Sequence, residues 1–252
     1  MTASKTEGMK VAVIGNGNVG SHFYKWLREC NQDVSIFSGR NLDDATADEI
    51  RRSDFDLIII SVKDDKIGNI AAKFVNHDAT IVHTSGSVDM SVFESGRIGR
   101  YGVLYPMQTF SKGLNMKYGD IPLYIEGSSD DVEKELLSLA HLMSGNVSLA
   151  DSRQRRQLHI AAVFACNFAN HLWALSDLYL KDNGLDFRCM LPLISRTVEK
   201  LRDTDPADCQ TGPASRGDIG IMESQMRMLE DYPEMKAIYG IMSESIMKLC
   251  QR

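Results

Sequence analysis

Three glycines directly after an apolar run constrain this chain more than any other feature of its sequence. The run KVAVI, residues 10–14, is rich in β-branched residues and predicts a strand. Gly15, Gly17 and Gly20 come directly after it, and the stretch GSHFYKWLREC that follows has its apolar residues at helical spacing. A strand, a G-x-G-x-x-G turn and a helix in this order are typical of a cradle for a dinucleotide phosphate. A tight glycine turn without a ligand is the alternative interpretation.

Each glycine has a separate task in such a cradle. Gly15 permits the tight turn, Gly17 keeps side-chain atoms away from the pyrophosphate, and Gly20 lets the helix pack close to the strand. The start of the helix offers unpaired N–H groups and the positive end of the helix dipole. We therefore expect the loop to bind a dinucleotide through Gly15, Asn16, Gly17, Asn18, Val19 and Gly20.

The end of the second predicted strand indicates which dinucleotide the chain binds. An NAD site usually has Asp or Glu there, which binds the ribose 2′-OH. In this chain the strand ends in Ser38, Gly39 and Arg40, and no carboxylate comes before Asp43. A hydroxyl and a guanidinium suit a 2′-phosphate, because Arg forms charge-assisted and often bidentate bonds to it. We predict NADP rather than NAD, with Ser38 and Arg40 as ligands; a solvated loop charge is the alternative role for Arg40.

Strands and helices alternate along the first 151 residues. The predicted strands are KVAVIG, DVSIFSG, DLIIISV, ATIVHTSG, YGVLYPM, IPLYIEG and NVSLAD. The third is apolar nearly throughout, as expected of a parallel strand that is buried on both faces. This alternation predicts βαβ units and a Rossmann-type α/β fold, that is, a doubly wound and mostly parallel sheet.

The pattern changes after Asp151. One long helical stretch runs to Gly184, and the later helical stretches are separated by Pro206, Pro213 and Pro233, with no convincing strand among them. We therefore predict a dinucleotide-binding domain over residues 1–151 and an all-helical domain over residues 152–252. The helical part has more apolar helix faces than about a hundred residues can cover alone, so we expect it to pair two copies of the chain.

The ends of the third and fourth predicted strands carry polar residues that should line the same crevice as the glycine loop. The third strand leads into Ser61, Val62 and Lys63, and the fourth into Thr84 and Ser85. We assign the first three and Thr84 to the cofactor and Ser85 to the substrate. A turn or helix-cap role is the alternative for Ser85.

Polar side chains on the long apolar helix are the candidates for catalysis. At 100° per residue, His159, Asn167, Asn170 and His171 share about a third of the helix circumference. A helix that is apolar nearly all round should be buried. We expect His159 to donate or accept a proton, Asn167 to hold a carbonyl, imine or carboxylate, and Asn170 to contact substrate. The alternative is that these are core polar groups that bridge helices or subunits.

Two loops supply further candidates for substrate contact. Pro106 bends the chain after a strand, so that Gln108 reaches across the crevice, although a simple strand exit explains the same residues. The segment TGPASRGD, residues 211–218, is a shaped loop in which Arg216 either clamps a substrate carboxylate or pairs with Asp218.

Composition narrows the class of partner. The net charge of −6, without any block of Lys or Arg, argues against nucleic acid and anionic membranes. No stretch reads as apolar for long enough to span a bilayer, and the first ten residues have no signal-peptide core. The five cysteines are scattered, which favours reduced thiols in the cytoplasm, and the six histidines lack metal-ligand spacing.

Several segments carry a family resemblance. MKVAVIGNGNVGSHF, FSGR, IIISVKDDKI and IVHTSGS, followed by helices, resemble pyrroline-5-carboxylate reductase and the deazaflavin-dependent NADP oxidoreductases. GVLYPMQTF, LHIAAVFACNFANHL and TGPASRGD are more similar to a family of largely uncharacterised Rossmann-like oxidoreductases. The resemblance implies an NADP-binding domain, a helical domain like the C-terminal part of 6-phosphogluconate dehydrogenase that often pairs two subunits, and a substrate pocket between the domains.

The resemblance has one clear departure, which bears on the substrate. The Ser/Gly-rich signature that opens the substrate-binding helices of true pyrroline carboxylate reductases is replaced here by AAVFACNFANHL, which argues against proline synthesis. We expect an enzyme that transfers a hydride between NADP(H) and a small metabolite, namely an imine, ketone or aldehyde with or without a carboxylate. A sensor or scaffold that binds NADP without turnover is the alternative.

Overall fold

A computed structural model of the chain describes residues 8–40 and 42–251, apart from the side chain of Ser95. Its internal contacts separate two compact units, one that ends at Asn167 and one that begins at Phe168. The sheet ends at Leu149, two residues before the boundary that the sequence predicts at residue 151, whereas the contacts divide within the long helix that follows.

The first unit is built on one seven-stranded sheet with the strand order β2-β1-β3-β4-β5-β6-β7. All neighbouring pairs are parallel except β5 and β6, which are antiparallel. The strands are β1 (Lys10–Ile14), β2 (Asp33–Phe37), β3 (Leu57–Ile60), β4 (Thr80–His83), β5 (Tyr101–Pro106), β6 (Leu123–Gly127) and β7 (Val147–Leu149). The seven predicted strands and the mostly parallel sheet are thus confirmed.

Helices cover both faces of this sheet. They are α1 (Asn18–Glu29), α2 (Asp44–Arg52), α3 (Ile67–Ala71) and α4 (Asp130–Met143). Val11 and Val13 of β1 belong to the core that α1 and α4 cover, whereas Ala12 and Ile14 belong to the core under α2 and α3. Because side chains alternate along a strand, this division shows a sheet buried on both faces and confirms the doubly wound fold.

After the sheet the described chain is helical. Helix α5 (Ser152–Ala162) continues through a π-helical segment, Val163–Phe168, into α6 (Ala169–Asp182). The second unit also contains α7 (Leu191–Lys200), α8 (Pro213–Arg216), α9 (Ile219–Met228) and α10 (Pro233–Cys250). No strand follows Leu149 among the described residues, as the sequence predicts.

The long helix differs from its prediction in three respects. It was expected to be buried, but Ile160 is 60% exposed and Leu178 is 49% exposed within the single chain. The π-helical segment takes more residues per turn than an α-helix, so the 100° spacing that grouped His159 with Asn170 does not hold across it. Residues 152–182 are also long and apolar enough to cross a membrane by length and composition alone, contrary to our expectation. The core helix of a soluble protein, which is mostly buried, meets the same criterion, whereas none of the apolar window here is buried within the single chain.

Candidate functional site

The glycine loop joins β1 to α1, and two of its glycines have no room for a side chain. A Cβ on Gly15 would lie 2.0 Å from the carbonyl oxygen of Ser61, and one on Gly20 would lie 1.8 Å from the carbonyl oxygen of Gly15. Gly15 also has a φ of +118°, which side-chain-bearing residues rarely adopt. The close packing of β1, β3 and α1 therefore requires glycine at both positions.

Gly17 has a different environment. A Cβ at this position would meet nothing within 4 Å, so the space in front of it is open. Gly17 is also the N-cap of α1, without a side chain to accept from the N–H groups of the first turn, and that turn contains no acidic residue. Bare N–H groups beside open space are what a bound phosphate requires, so the loop fits a dinucleotide.

The turn after β2 packs against the glycine loop. A Cβ on Gly39 would lie 2.4 Å from Cγ1 of Val62 and 3.2 Å from Cα of Gly15. This close approach places Ser38 and Arg40, both exposed, at the loop side of the sheet. Arg40 makes no ion pair with another described residue, so its guanidinium is available to an anion such as a 2′-phosphate, with the Ser38 hydroxyl two positions away in the chain.

The ends of β3 and β4 complete this edge. The N–H of Ser61 donates to the carbonyl of Ile14 at 2.8 Å, and the hydroxyl of Thr84 donates to the Ser61 hydroxyl at 3.4 Å. Lys63 is exposed at the start of the following turn. The structure thus brings Ser61, Val62 and Thr84 together with the glycine loop.

His159 of α5 lies across the carboxyl ends of β4 and β5. Its Nδ1 is 3.1 Å from the hydroxyl of Tyr105, the next-to-last residue of β5. The backbone of Gly86, just after β4, packs so closely on the imidazole that a Cβ there would lie 2.7 Å from Nδ1. The ring is therefore held between two strand ends, which is where catalytic groups of open α/β sheets are found.

Tyr105 orients this imidazole. Its side chain is buried, and this burial, followed by the charge of Tyr124, raises its pKa above the ordinary value, although Arg155 opposes the shift. The phenol therefore stays protonated near neutral pH. Its hydroxyl bonds Nδ1 of His159, as donor to a bare nitrogen or as acceptor from Nδ1–H, which leaves Nε2 to carry out proton transfer.

A buried ion pair fixes the start of α5 and hence the position of His159. Arg155 is fully buried, and its guanidinium bonds both the carboxylate of Glu126 on β6 and the carbonyl oxygen of Val88. Ser152 donates to the same carboxylate at 2.7 Å and accepts from the N–H of Met90 at 3.0 Å. One loop and one strand are therefore tied to the first turn of the helix.

His83 ends β4 just before the predicted site residues, but it is a core residue. Burial, and then the charge of Arg155, lowers its pKa to about 3, so the imidazole is neutral at physiological pH. Its Nδ1 accepts from the N–H of Ser85 at 3.2 Å. The Ser85 hydroxyl in turn accepts from the N–H groups of Ser87 and Val88, which is the turn role weighed as the alternative for this residue.

The other predicted substrate residues each have their own local surroundings. The Gln108 amide accepts from the N–H of the adjacent Thr109 at 2.7 Å, so in this structure it folds back on its own loop. Arg216 pairs with Asp218 at 2.8 Å, in agreement with the loop-fixing alternative. Asn167 in the π-helical segment is exposed, as are Asn170 and His171 on α6. Their substrate roles stay predictions.

The second unit contains an apolar cavity of about 330 Å³. It lies between α6, α8, α9 and α10, and its lining includes Thr211, Pro213 and Ala214 of the TGPASRGD segment. Tyr239 is the only titratable residue in that lining, so the cavity has little capacity for proton transfer.

Sequence reasoning missed Tyr105 and Lys112, which contact the predicted site. Tyr105 stood at the end of a predicted strand, the position from which the site was sought, so its placement could have identified it. Lys112 gave no local signal, because it lies in an irregular loop and meets the glycine loop across 96 positions of sequence.

The fold and the site define a class of protein, namely a Rossmann-type dinucleotide-binding domain followed by helices. Residues 121–246, half of the chain, match the family described as a domain of unknown function, DUF2520, and the chain belongs to this family. It is also 36% identical to a Bacteroides fragilis protein described as a "putative NADP oxidoreductase", with a TM-score of 0.87 over 97% of this chain and 100% of that one.

More distant structures share the fold. A Thermotoga maritima protein has 22% identity and a TM-score of 0.69 over 96% of this chain and 98% of that one. A Plasmodium falciparum pyrroline carboxylate reductase with NADP bound has 16% identity and a TM-score of 0.56 over 97% and 99%. None of the curated proteins matches the chain. The resemblance that the sequence indicated is confirmed by these similarities.

Proposed function

We propose that this chain is an NADP-dependent oxidoreductase that transfers a hydride between NADP(H) and a small imine, ketone or aldehyde. The observation that carries the proposal is the glycine loop, in which Gly15 and Gly20 are required by packing whereas Gly17 faces open space. The chain is also 36% identical over nearly its whole length to a protein described as a putative NADP oxidoreductase, which supports NADP as cofactor and hydride transfer as the reaction class.

In the proposed complex different residues of the chain bind different parts of the cofactor. The N–H groups at the start of α1 would bind the pyrophosphate. Ser38 and Arg40 would bind the 2′-phosphate, and the ends of β3 and β4 would border the nicotinamide ribose through Ser61, Val62, Lys63 and Thr84. When bound, NADPH supplies the hydride.

His159 would manage the proton that accompanies the hydride. In the direction of reduction the imidazolium would give its Nε2 proton to the substrate nitrogen or oxygen, which leaves a neutral imidazole whose Nδ1–H is held by the Tyr105 hydroxyl. In the reverse direction the bare Nε2 would accept the proton from the substrate. Asn167 would hold the substrate carbonyl, imine or carboxylate, with Ser85, Gln108, Asn170 and Arg216 as further substrate contacts.

A variant series separates catalysis from binding. His159→Ala is expected to lower kcat for NADPH oxidation by about 100-fold to 10,000-fold, the usual contribution of general acid-base catalysis. Tyr105→Phe should lower it less, since the imidazole stays but loses its orienting bond. A panel of imines, ketones and aldehydes identifies the substrate, and calorimetry should find NADPH affinity nearly unchanged in both variants.

The outcomes of this series are distinct. Full turnover by His159→Ala would contradict the role of His159. A wild-type protein that binds NADPH but turns over no member of the panel would favour the sensor or scaffold interpretation.

We also propose that two copies of the chain pair through the helical unit in the cytoplasm. Apolar side chains of this unit are about half exposed or more in the single chain, and an apolar surface of this extent is typical of an interface. They include Leu185, Leu191, Leu193, Val198, Ile219, Ile221, Met228 and Ile241. Sedimentation at micromolar concentration is expected to give a dimer; a monomer would contradict the proposal.

A further inference from the structure

The segment between β5 and β6 passes over the glycine loop and brings a cation to it. We call residues 110–118 the strap. The Lys112 ammonium donates to the carbonyl oxygen of Asn16 at 2.9 Å, and the Lys112 N–H donates to Oδ1 of Asn18 at 3.2 Å. Asn16 lies within the glycine loop and Asn18 is the first residue of α1. The amine therefore lies at the entrance of the phosphate cradle.

The helix that forms the cradle also holds the strap. His22 of α1 is 2% exposed, and its Nε2 donates to the carbonyl of Ser111 at 3.0 Å. Its Nδ1 accepts from the Tyr118 hydroxyl at 2.9 Å, and its ring lies 5.0 Å from that of Phe110. One buried imidazole thus contacts residues at both ends of the strap.

A second contact holds Tyr118 of the strap against α1. Trp26, one turn further along α1, stacks on the ring of Tyr118 with a centroid separation of 5.1 Å. Since the strap and the cradle are fixed to one helix, the position of Lys112 relative to the loop is set in advance. A preorganised cation loses less entropy when it binds an anion.

The positive charge of Lys112 is not neutralised by any described residue. Among the described residues it has no ion-pair partner, and its amine bonds only a neutral carbonyl. It lies beside the N-terminus of α1, which has positive potential and no acidic residue in its first turn. Two positive features side by side, with no counter-charge, favour a bound anion.

We propose that Lys112 binds the pyrophosphate of the dinucleotide, exchanging its bond to the Asn16 carbonyl for a charge-assisted bond to phosphate. This inference rests on the proposed function, because the pyrophosphate is that of NADP. The proposal assigns Lys112 a different anion from Arg40, which is exposed just after the end of β2, where the 2′-phosphate would lie.

Calorimetry with NADPH and NADH tests this assignment. Lys112→Met keeps the aliphatic stem but removes the charge, and it is expected to lower affinity for both dinucleotides by about tenfold, the value of one bond to a charged group. The dependence of affinity on salt should weaken as well. Lys112→Arg should retain affinity, and Lys117→Met, on the same strap, is the matched control that should change nothing. Arg40→Ala should lose affinity for NADPH alone.

Each outcome decides the proposal. An equal loss for both dinucleotides, with melting temperature unchanged, supports it. Unchanged affinity in Lys112→Met, or a loss confined to NADPH, overturns it and leaves the proposed function standing as long as the wild-type protein binds NADPH. If the wild-type protein binds neither dinucleotide, both this assignment and the proposed function fail.

Discussion

Replacing Gly17 with alanine is expected to abolish most dinucleotide binding while leaving the protein folded. The new Cβ would meet no protein atom within 4 Å, so the unliganded loop tolerates it. It would occupy the space from which phosphate oxygens reach the N–H groups of α1. Loss of one or two bonds to a charged group corresponds to an affinity lower by about 100-fold. Calorimetry with NADPH measures this loss, and thermal unfolding checks the fold.

Two further glycines serve as controls for Gly17→Ala. Gly20→Ala should destabilise the protein itself, because its Cβ would lie 1.8 Å from the carbonyl oxygen of Gly15. Gly99→Ala, at an exposed position with nothing within 4 Å, should change neither stability nor binding. NADPH affinity that stays at the wild-type level in Gly17→Ala would show that the open space in front of this residue is not the phosphate site.

Replacing Arg155 with leucine is expected to lower the free energy of unfolding by about 3 to 5 kcal/mol, the usual cost of removing one partner of a buried ion pair. The Glu126 carboxylate, whose side chain is 16% exposed, would lose its counter-charge, and the Val88 carbonyl would lose its donor. Urea unfolding measures the difference. Because Arg155 anchors α5, the variant should also lose the contact between His159 and Tyr105.

The neighbouring arginine provides a matched control. Arg156 pairs with Asp89 on the surface, where both side chains are nearly half exposed, so Arg156→Leu should cost less than about 1 kcal/mol. The double variant Glu126→Leu/Arg155→Leu should recover only part of the lost stability: an apolar pair often replaces a buried ion pair without penalty, but Ser152 and the Val88 carbonyl would still lack their partners. Equal stability of Arg155→Leu and Arg156→Leu would contradict this account.

The features that sequence alone predicted are those with a local cause. The alternation of Val11 and Val13 with Ala12 and Ile14 marks a strand buried on both faces, and the structure places the two pairs in opposite cores. The glycine spacing was interpretable because the order of strand, glycine turn and helix is local, although Gly15 also packs against Ser61, which follows β3.

The features that sequence missed depend on distant contacts or on irregular backbone. Tyr105 and His159 are 54 positions apart, and their contact follows from the path of α5 over the sheet. A search at 100° per residue cannot detect the π-helical segment, because it assumes the same number of residues per turn along the whole helix. Helix α2 was not predicted from the sequence; Ala47 and Ile50 are its only buried residues among those described.

The exposure of the long helix could not be predicted from the sequence of one chain. The apolar pattern of residues 152–182 predicts burial, yet burial depends on what lies against the helix. In the single chain Ile160 and Leu178 remain in contact with solvent. The pairing of two copies that we propose would account for that pattern.

The central claim is that the loop between Ile14 and Ser21 binds the diphosphate of NADP. Titration of the folded wild-type protein with NADPH and with NADH tests it most directly. We expect NADPH to bind with a dissociation constant in the micromolar range or below, and about tenfold or more tighter than NADH because of Arg40 and Ser38. Tighter binding of NADH would contradict the choice of cofactor, and no binding of either dinucleotide would contradict the claim itself.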